Sequence, residues 1–242
     1  MIDLSVYLVT DAALCARAGL LETVAAALRG GATAVQLRDK QASDAALIEQ
    51  GKAIKALLRG THVHVPLIVN DRLKVAVAIG ADGLHLGQSD GDVAEARAVL
   101  GAEAILGLSV QSRDQLGAPE LGLVDYLGVG PVFATATKPD HSSPLGFEGL
   151  AAICAESPLP VVAIGGLSAE HAASIWSAGG VGMALVSAIC TASDPELATR
   201  EIVEACKVAR LGSADAKSMS SRSQDSSTPQ ETIYTHTHPC QN

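Results

Sequence analysis

The chain has 242 residues, 48% hydrophobic and 2% aromatic, with a formal net charge of −9. That length supports one large domain with a substantial core, while an acidic, ring-poor chain offers neither the basic groove nor the stacking platform that nucleic acid requires. No apolar run approaches the roughly 18 residues that span a bilayer, and "MIDLSVYLVTD" has no basic region ahead of an apolar core, so the expectation is a soluble cytoplasmic protein with no membrane partner.

Short β-type runs alternate with Ala-rich segments of helical period. "VYLVT" opens the series and "GLLETVAAALRGG" follows it. Next come "AVQLR" and "SDAALIEQGKAIKALLRG", then "LIVN" and "RLKVAVAIGA", then "GLHLG" and "GDVAEARAVLGA". "AILGL" precedes a weaker segment near 111–122. "DYLGVG" is followed by a long loop and "GFEGLAAICAES", "PVVAIGG" by "SAEHAASIWSAGG", and "GVGMAL" by a final helical stretch over 187–210. Strict alternation with apolar strands implies a parallel sheet covered by helices, and eight such units imply closure into a (βα)8 barrel over residues 1–211. "GGATAVQLR", "GADGLHLGQ" and "AGGVGMALV" each place glycine between a helix and the next strand, as helix-to-strand turns require. Asp82 then belongs to the bottom face, with a role in stability. Residues 212–242 turn Ser-, Thr- and Gln-rich and read as a disordered tail; His236, His238 and Cys240 within it have no scaffold for a metal. The other cysteines, Cys15, Cys154, Cys190 and Cys206, form no CxxC pair and read as reduced thiols.

In a (βα)8 enzyme the active site forms at the C-terminal strand ends. Strand alternation in "AVQLRDK" turns Val35 and Leu37 toward the helices and Gln36 and Arg38 into the barrel, with Asp39 and Lys40 at the rim. By the same rule Asn70 and His85 face inward, followed at the top by Asp71, Gln88 and Asp90. Neighbouring βα units bring Asp71 and Asp90 together, where two carboxylates suit Mg²⁺ completed by water and phosphate; equally, each precedes a helix and fits an N-cap. Arg38, Lys40 and Lys138 add positive charge to the same mouth. Gly165-Gly166 after the seventh strand, and Val186-Ser187 after the eighth, stand where barrels of this kind bind phosphate on backbone N–H groups. The long loop "GPVFATATKPDHSSPLGFEGL", with Thr135, Thr137 and Lys138, reads as a substrate-covering lid.

"VQLRDK", "IVNDR", "ADGLHLGQSD", "LGLSV", "GVGPVFATATK", "AIGGL" and "VSAI", in this order, resemble the thiamine-phosphate synthase family over roughly residues 5–210. The resemblance implies a transferase joining 4-amino-2-methyl-5-hydroxymethylpyrimidine diphosphate to a thiazole phosphate, or to its carboxylated form with loss of CO₂, to give thiamine phosphate and pyrophosphate. It implies a pyrimidine diphosphate site made by Gln36, Leu37, Arg38, Asp39, Lys40, Asn70, Ser109 and Lys138, of which Arg38, Lys40, Ser109 and Lys138 are catalytic. It also implies Mg²⁺ on Asp71 and Asp90, and a thiazole phosphate site made by Thr135, Ala136, Thr137, Gly166, Val186 and Ser187. The implied mechanism is dissociative, with departure of diphosphate ahead of capture by the thiazole nitrogen. A homo-oligomer is compatible with the sequence. A thiazole tautomerase or a catalytically silent phosphate-binding regulator of the same fold are the alternatives. The segment "KPDHSSPLG" departs from the more charged stretch that many family members carry.

Overall fold

The computed structural model describes residues 2–135, 137 and 143–224, with side chains through Ser213. The expected strands are β1 (Val6–Val9), β2 (Ala34–Leu37), β3 (Leu67–Asn70), β4 (Gly83–Leu86), β5 (Ile105–Val110), β6 (Tyr126–Val129), β7 (Val161–Ile164) and β8 (Gly182–Leu185). All pair in parallel with their sequence neighbours, and β8 returns to β1 through Val6↔Met183, Tyr7↔Ala184 and Leu8↔Leu185, closing the barrel. The helices are α1 (Leu20–Gly30), α2 (Asp44–Leu58), α3 (Leu73–Ile79), α4 (Val93–Leu100), α5 (Gly146–Glu156), α6 (Ala172–Ser177), α7 (Ser187–Cys190) and α8 (Pro195–Gln224).

The period-2 alternation of the strands produces two cores. Val6, Leu8, Val35, Leu37, Leu67, Val69 and their counterparts face the helices in one continuous layer, whereas Tyr7, Val9, Ala34, Ile68, Tyr126, Val162 and Ala184 fill the barrel interior. Truncating a fully buried outer-layer residue such as Leu150 is worth about 2–5 kcal/mol.

Local chemistry sets the helix ends. Ser43 accepts from Ala46 N at the start of α2, and Asp92 accepts from Ala94 N and Glu95 N at the start of α4. Gly31 after α1 and Gly80 after α3 adopt left-handed backbone, confirming the expected turn chemistry. The bottom of the barrel is clamped in alternate units. Thr33 Oγ1 accepts from Val6 N at 3.0 Å, Asp82 Oδ2 from Leu67 N at 2.8 Å, and Asp125 Oδ2 from Leu106 N at 2.7 Å. Each side chain just ahead of one strand thus satisfies an N–H at the start of the strand before it. Asp82 has the structural role expected of it.

Two segments differ from the sequence reading. Residues near 111–122 form two 3-10 turns, Arg113–Gly117 and Pro119–Leu123, because Pro119 lacks the N–H that a continuous helix needs there. At the other end, α8 continues to Gln224, thirteen residues past the expected boundary at 211, since the stretch after Gly212 contains no proline and has enough Ala, Lys and Met to propagate a helix. Residues 225–242, with His236, His238 and Cys240, lie outside the described residues. Helix α8 packs on α1 closely enough that a Cβ on Gly30 would lie 2.6 Å from Thr199 Cβ, and so covers the seam where β8 meets β1. Among the described residues no helix is long and apolar enough to cross a membrane.

Candidate active site

A pocket opens at the C-terminal ends of the strands and reaches down to the interior tyrosines. One wall comes from β2 to β4. Gln36 points inward from β2 and is 4% exposed, while Arg38 and Lys40 follow at the rim. Thr10 Oγ1 accepts from Arg38 N at 2.9 Å, and Asp11 Oδ2 lies 3.4 Å from Arg38 Nη1, so the guanidinium is held at the mouth by the loop after β1.

Asp71 and Asp90 are not helix caps. Arg72 occupies the N-cap of α3, Asp92 caps α4, and both aspartates instead line the pocket. Among the described residues Asp71 is the one non-glycine residue with positive φ, at 62°, a conformation that costs energy in an L-residue and accumulates at functional sites. Its N–H donates to His85 O at 2.9 Å, tying the loop after β3 to β4. Asp90 Oδ2 accepts from Gly87 N at 2.9 Å, and a Cβ on Gly87 would come within 2.4 Å of that oxygen, so a side chain there would push the Asp90 carboxylate aside. Burial, and then the Asp90 carboxyl beside it, push the Asp71 carboxyl up to about 6, while Lys40, 3.5 Å away, pulls in the opposite direction. Two oxygen-donor side chains held together against mutual repulsion fit a hard divalent cation. Among the described residues there is no cluster of three or more His, Cys, Asp or Glu, so such an ion would draw the rest of its shell from water and a bound phosphate.

Beneath this wall the barrel is plugged by a hydrogen-bonded chain. Gln36 Nε2 donates to Tyr7 Oη at 2.9 Å, Tyr7 Oη lies 3.0 Å from Tyr126 Oη, and Tyr126 Oη lies 2.9 Å from His85 Nδ1. His85 Nε2 in turn lies 2.9 Å from Ser109 Oγ. Burial pushes both phenols above their ordinary range, which keeps them protonated.

The opposite wall comes from β6 to β8. Thr135, Thr137, Gly166, Val186 and Ser187 all line the pocket. Gly165 and Gly166 have φ of 101° and 66°, and a Cβ on either would collide with Pro131 or Phe133, so the turn after β7 presses directly on the start of the loop after β6. Backbone bonds from Val132 N to Ile164 O and from Phe133 N to Gly165 O fix that approach. The Phe133 ring also packs against Phe147 and His171, with centroids 5.1 and 4.8 Å away. His171 completes a reciprocal capping pair with Ser168.

Gln36, Arg38, Lys40, Asn70, Asp71, Asp90, Ser109, Thr135, Thr137, Gly166, Val186 and Ser187 are therefore brought together around one cavity. Leu37 and Asp39 are not. Strand parity turns Leu37 into the outer core, where it is 1% exposed, and Asp39 accepts from Gln41 N and Ala42 N to shape its own loop. Ala136 and Lys138 lie outside the described residues, as do residues 139–142 of the expected lid. Tyr7, Tyr126 and Gln111 line the pocket without having been singled out in the sequence; the tyrosines share the inward parity of their strands, which is the signal that identifies them.

A profile of the thiamine monophosphate synthase family matches residues 6–189. The thiamine-phosphate synthase of Azorhizobium caulinodans is 52% identical over 200 residues, spanning 83% of this chain and 93% of that protein. The one from Xanthobacter autotrophicus is 54% identical over 208 residues, spanning 86% and 98%. Among solved structures, a thiamine phosphate pyrophosphorylase from Pyrococcus furiosus superposes with a TM-score of 0.77 at 35% identity, covering 86% of this chain and 98% of that one. With this agreement across most of both chains, the protein belongs to the thiamine monophosphate synthase family.

Proposed function

We propose that the protein is a thiamine-phosphate synthase that joins a hydroxymethylpyrimidine diphosphate to a thiazole phosphate. The observation that carries this reading is the placement of two different anion-binding walls on opposite sides of one barrel mouth. Arg38, Lys40, Asp71 and Asp90 stand on the β2–β4 side, and Thr135, Thr137, Gly166, Val186 and Ser187 on the β6–β8 side. A diphosphate at the first wall and a monophosphate at the second would bring their organic halves together over the plug, which is how orientation lowers the barrier of a bimolecular step.

The Asp71–Asp90 pair would hold Mg²⁺, which when bound supplies charge neutralisation for the leaving diphosphate. Arg38 and Lys40 stabilise the same negative charge as it develops, and Gln36, Asn70 and Ser109 orient the pyrimidine diphosphate beside them. The bond from the pyrimidine methylene carbon to the diphosphate oxygen breaks with both electrons leaving on oxygen. The thiazole nitrogen lone pair then forms the new carbon–nitrogen bond. Lys138 joins the diphosphate group in this scheme, and Ala136 the thiazole phosphate group. No strong base is needed. A thiazole tautomerase has no use for the cationic and carboxylate groups assembled on the first wall.

The test is a Mg²⁺-dependent assay with both substrates, reading thiamine phosphate and pyrophosphate together. Equal formation of the two, abolished by EDTA, supports the reading. Folded protein that binds thiazole phosphate yet makes neither product overturns it.

A further inference from the structure

With His85 neutral and the Gln36 amide presenting Nε2 to Tyr7, the buried chain Gln36–Tyr7–Tyr126–His85–Ser109 can run its protons continuously in two directions. Gln36 Nε2 is a donor, so it takes up an acceptor position on Tyr7 Oη. If Tyr7 then donates to Tyr126, Tyr126 is free to donate to His85 Nδ1, and a neutral imidazole accepting there carries its proton on Nε2, 2.9 Å from Ser109 Oγ. In the reverse direction Ser109 donates to His85 and Tyr126 donates to Tyr7, leaving the Tyr7 proton with no acceptor within the chain. Tyr7 is 1% exposed, so a proton stranded there is penalised.

The space for this arrangement is built into the adjoining strands. A Cβ on Gly107 of β5 would lie 2.4 Å from Tyr126 Oη and 2.5 Å from His85 Nδ1, and a Cβ on Gly128 of β6 would lie 2.9 Å from His85 Cε1. Two inward-facing glycines thus make room for the two rings in hydrogen-bond contact, with ring centroids 5.5 Å apart.

We infer that Tyr126 is a positioning residue that fixes His85 as the Nε2–H tautomer, so that Ser109 accepts from His85 and keeps its own hydroxyl proton to donate into the pocket. This rests on the synthase reading for its chemical use, since the acceptor in the pocket would be the departing diphosphate or the pyrimidine ring. Tyr126 acts at one remove. Ser109 touches the substrate, and Tyr126 determines which way its hydroxyl points.

The experiment is ¹⁵N NMR on histidine-labelled full-length protein, with the His85 signals assigned by their loss in His85→Gln, alongside steady-state kinetics. The expected wild-type result is a single Nε2–H tautomer for His85. Tyr126→Phe keeps the ring and removes the donor, so the His85 signals should move toward a tautomer mixture and kcat should fall about tenfold, as for one lost hydrogen bond in the transition state, with KM for the pyrimidine diphosphate little changed. Tyr7→Phe leaves Tyr126 able to donate and should preserve the tautomer. An Nδ1–H tautomer in the wild type overturns the inference, as does an unchanged tautomer in folded Tyr126→Phe. Absence of thiamine phosphate formation by the wild type would sink the synthase reading while leaving the tautomer result to stand or fall by itself.

Discussion

Lys40 Nζ lies 3.5 Å from Asp71 Oδ2, across the loops that follow β2 and β3. The lysine is 44% exposed and the aspartate 20% exposed, so the pair sits at the lip of the pocket, where a bound anion can draw the lysine away from its partner. Lys40→Met should lower kcat about 10²-fold, in line with loss of one group stabilising transition-state charge. A change confined to KM in steady-state kinetics would mean that Lys40 serves binding alone.

Asp71→Asn should lower turnover about 10²–10³-fold. In EDTA-treated protein the same substitution should raise the melting temperature at neutral pH. The sign follows from the raised carboxyl: with a folded value of about 6 against 3.8 when unperturbed, the folded state binds the proton more tightly. Stability from this group is present at low pH and is lost as pH rises from about 4 to about 6. Asparagine removes that loss and tolerates the left-handed backbone at φ 62°. Thermal denaturation at pH 4 and pH 7.5 checks this; a mutant less stable than wild type at pH 7.5 would contradict it.

Gly166→Ala should raise KM for the thiazole phosphate by about tenfold and destabilise the fold by about 1–3 kcal/mol. Its φ of 66° disfavours a side chain, and the new Cβ would press on Phe133 Cβ at 2.8 Å and Ala134 O at 2.9 Å. Because those contacts displace the loop after β6, the monophosphate side should suffer more than the pyrimidine diphosphate side. Equal losses for both substrates would argue against two separate anion walls.

Truncation after Ser213 should leave kcat within about twofold of wild type, since Ile202, Cys206 and Ala209 supply buried packing that the shortened helix keeps. Size-exclusion chromatography and steady-state rates on the shortened chain test this. Loss of rate in a folded truncation would assign the end of α8 a part in catalysis.

Barrel closure was legible because apolar β-type runs alternate with helical segments eight times, and most of the helices end beside a glycine or proline that a local window contains. Parity alone placed Gln36 and Arg38 inside and Leu37 outside, and the structure agrees; including Leu37 in the site ran against that parity. The distinction between Asp90 and Asp92 was not legible. Either could cap α4, and the choice depends on the loop geometry that lets Asp90 turn back to Gly87 N. The left-handed backbone of Asp71 was hidden for the same reason. The Tyr7–Tyr126 contact joins residues 119 apart, and only the closed register shows that they meet. The continuation of α8 was missed because its polar sequence has no apolar period to announce a helix.

The meeting of Tyr7 and Tyr126 across the barrel axis also governs traffic. With the inner end stoppered, everything must arrive and depart by the same opening. The molecule seated deepest has to come first and cannot leave past a later arrival. Under the synthase reading, the pyrimidine diphosphate would load ahead of the thiazole phosphate, and pyrophosphate, formed at the β2–β4 lip and not at the bottom, would have a way out before the joined product does. A queue of this kind needs no moving gate; it follows from a cul-de-sac.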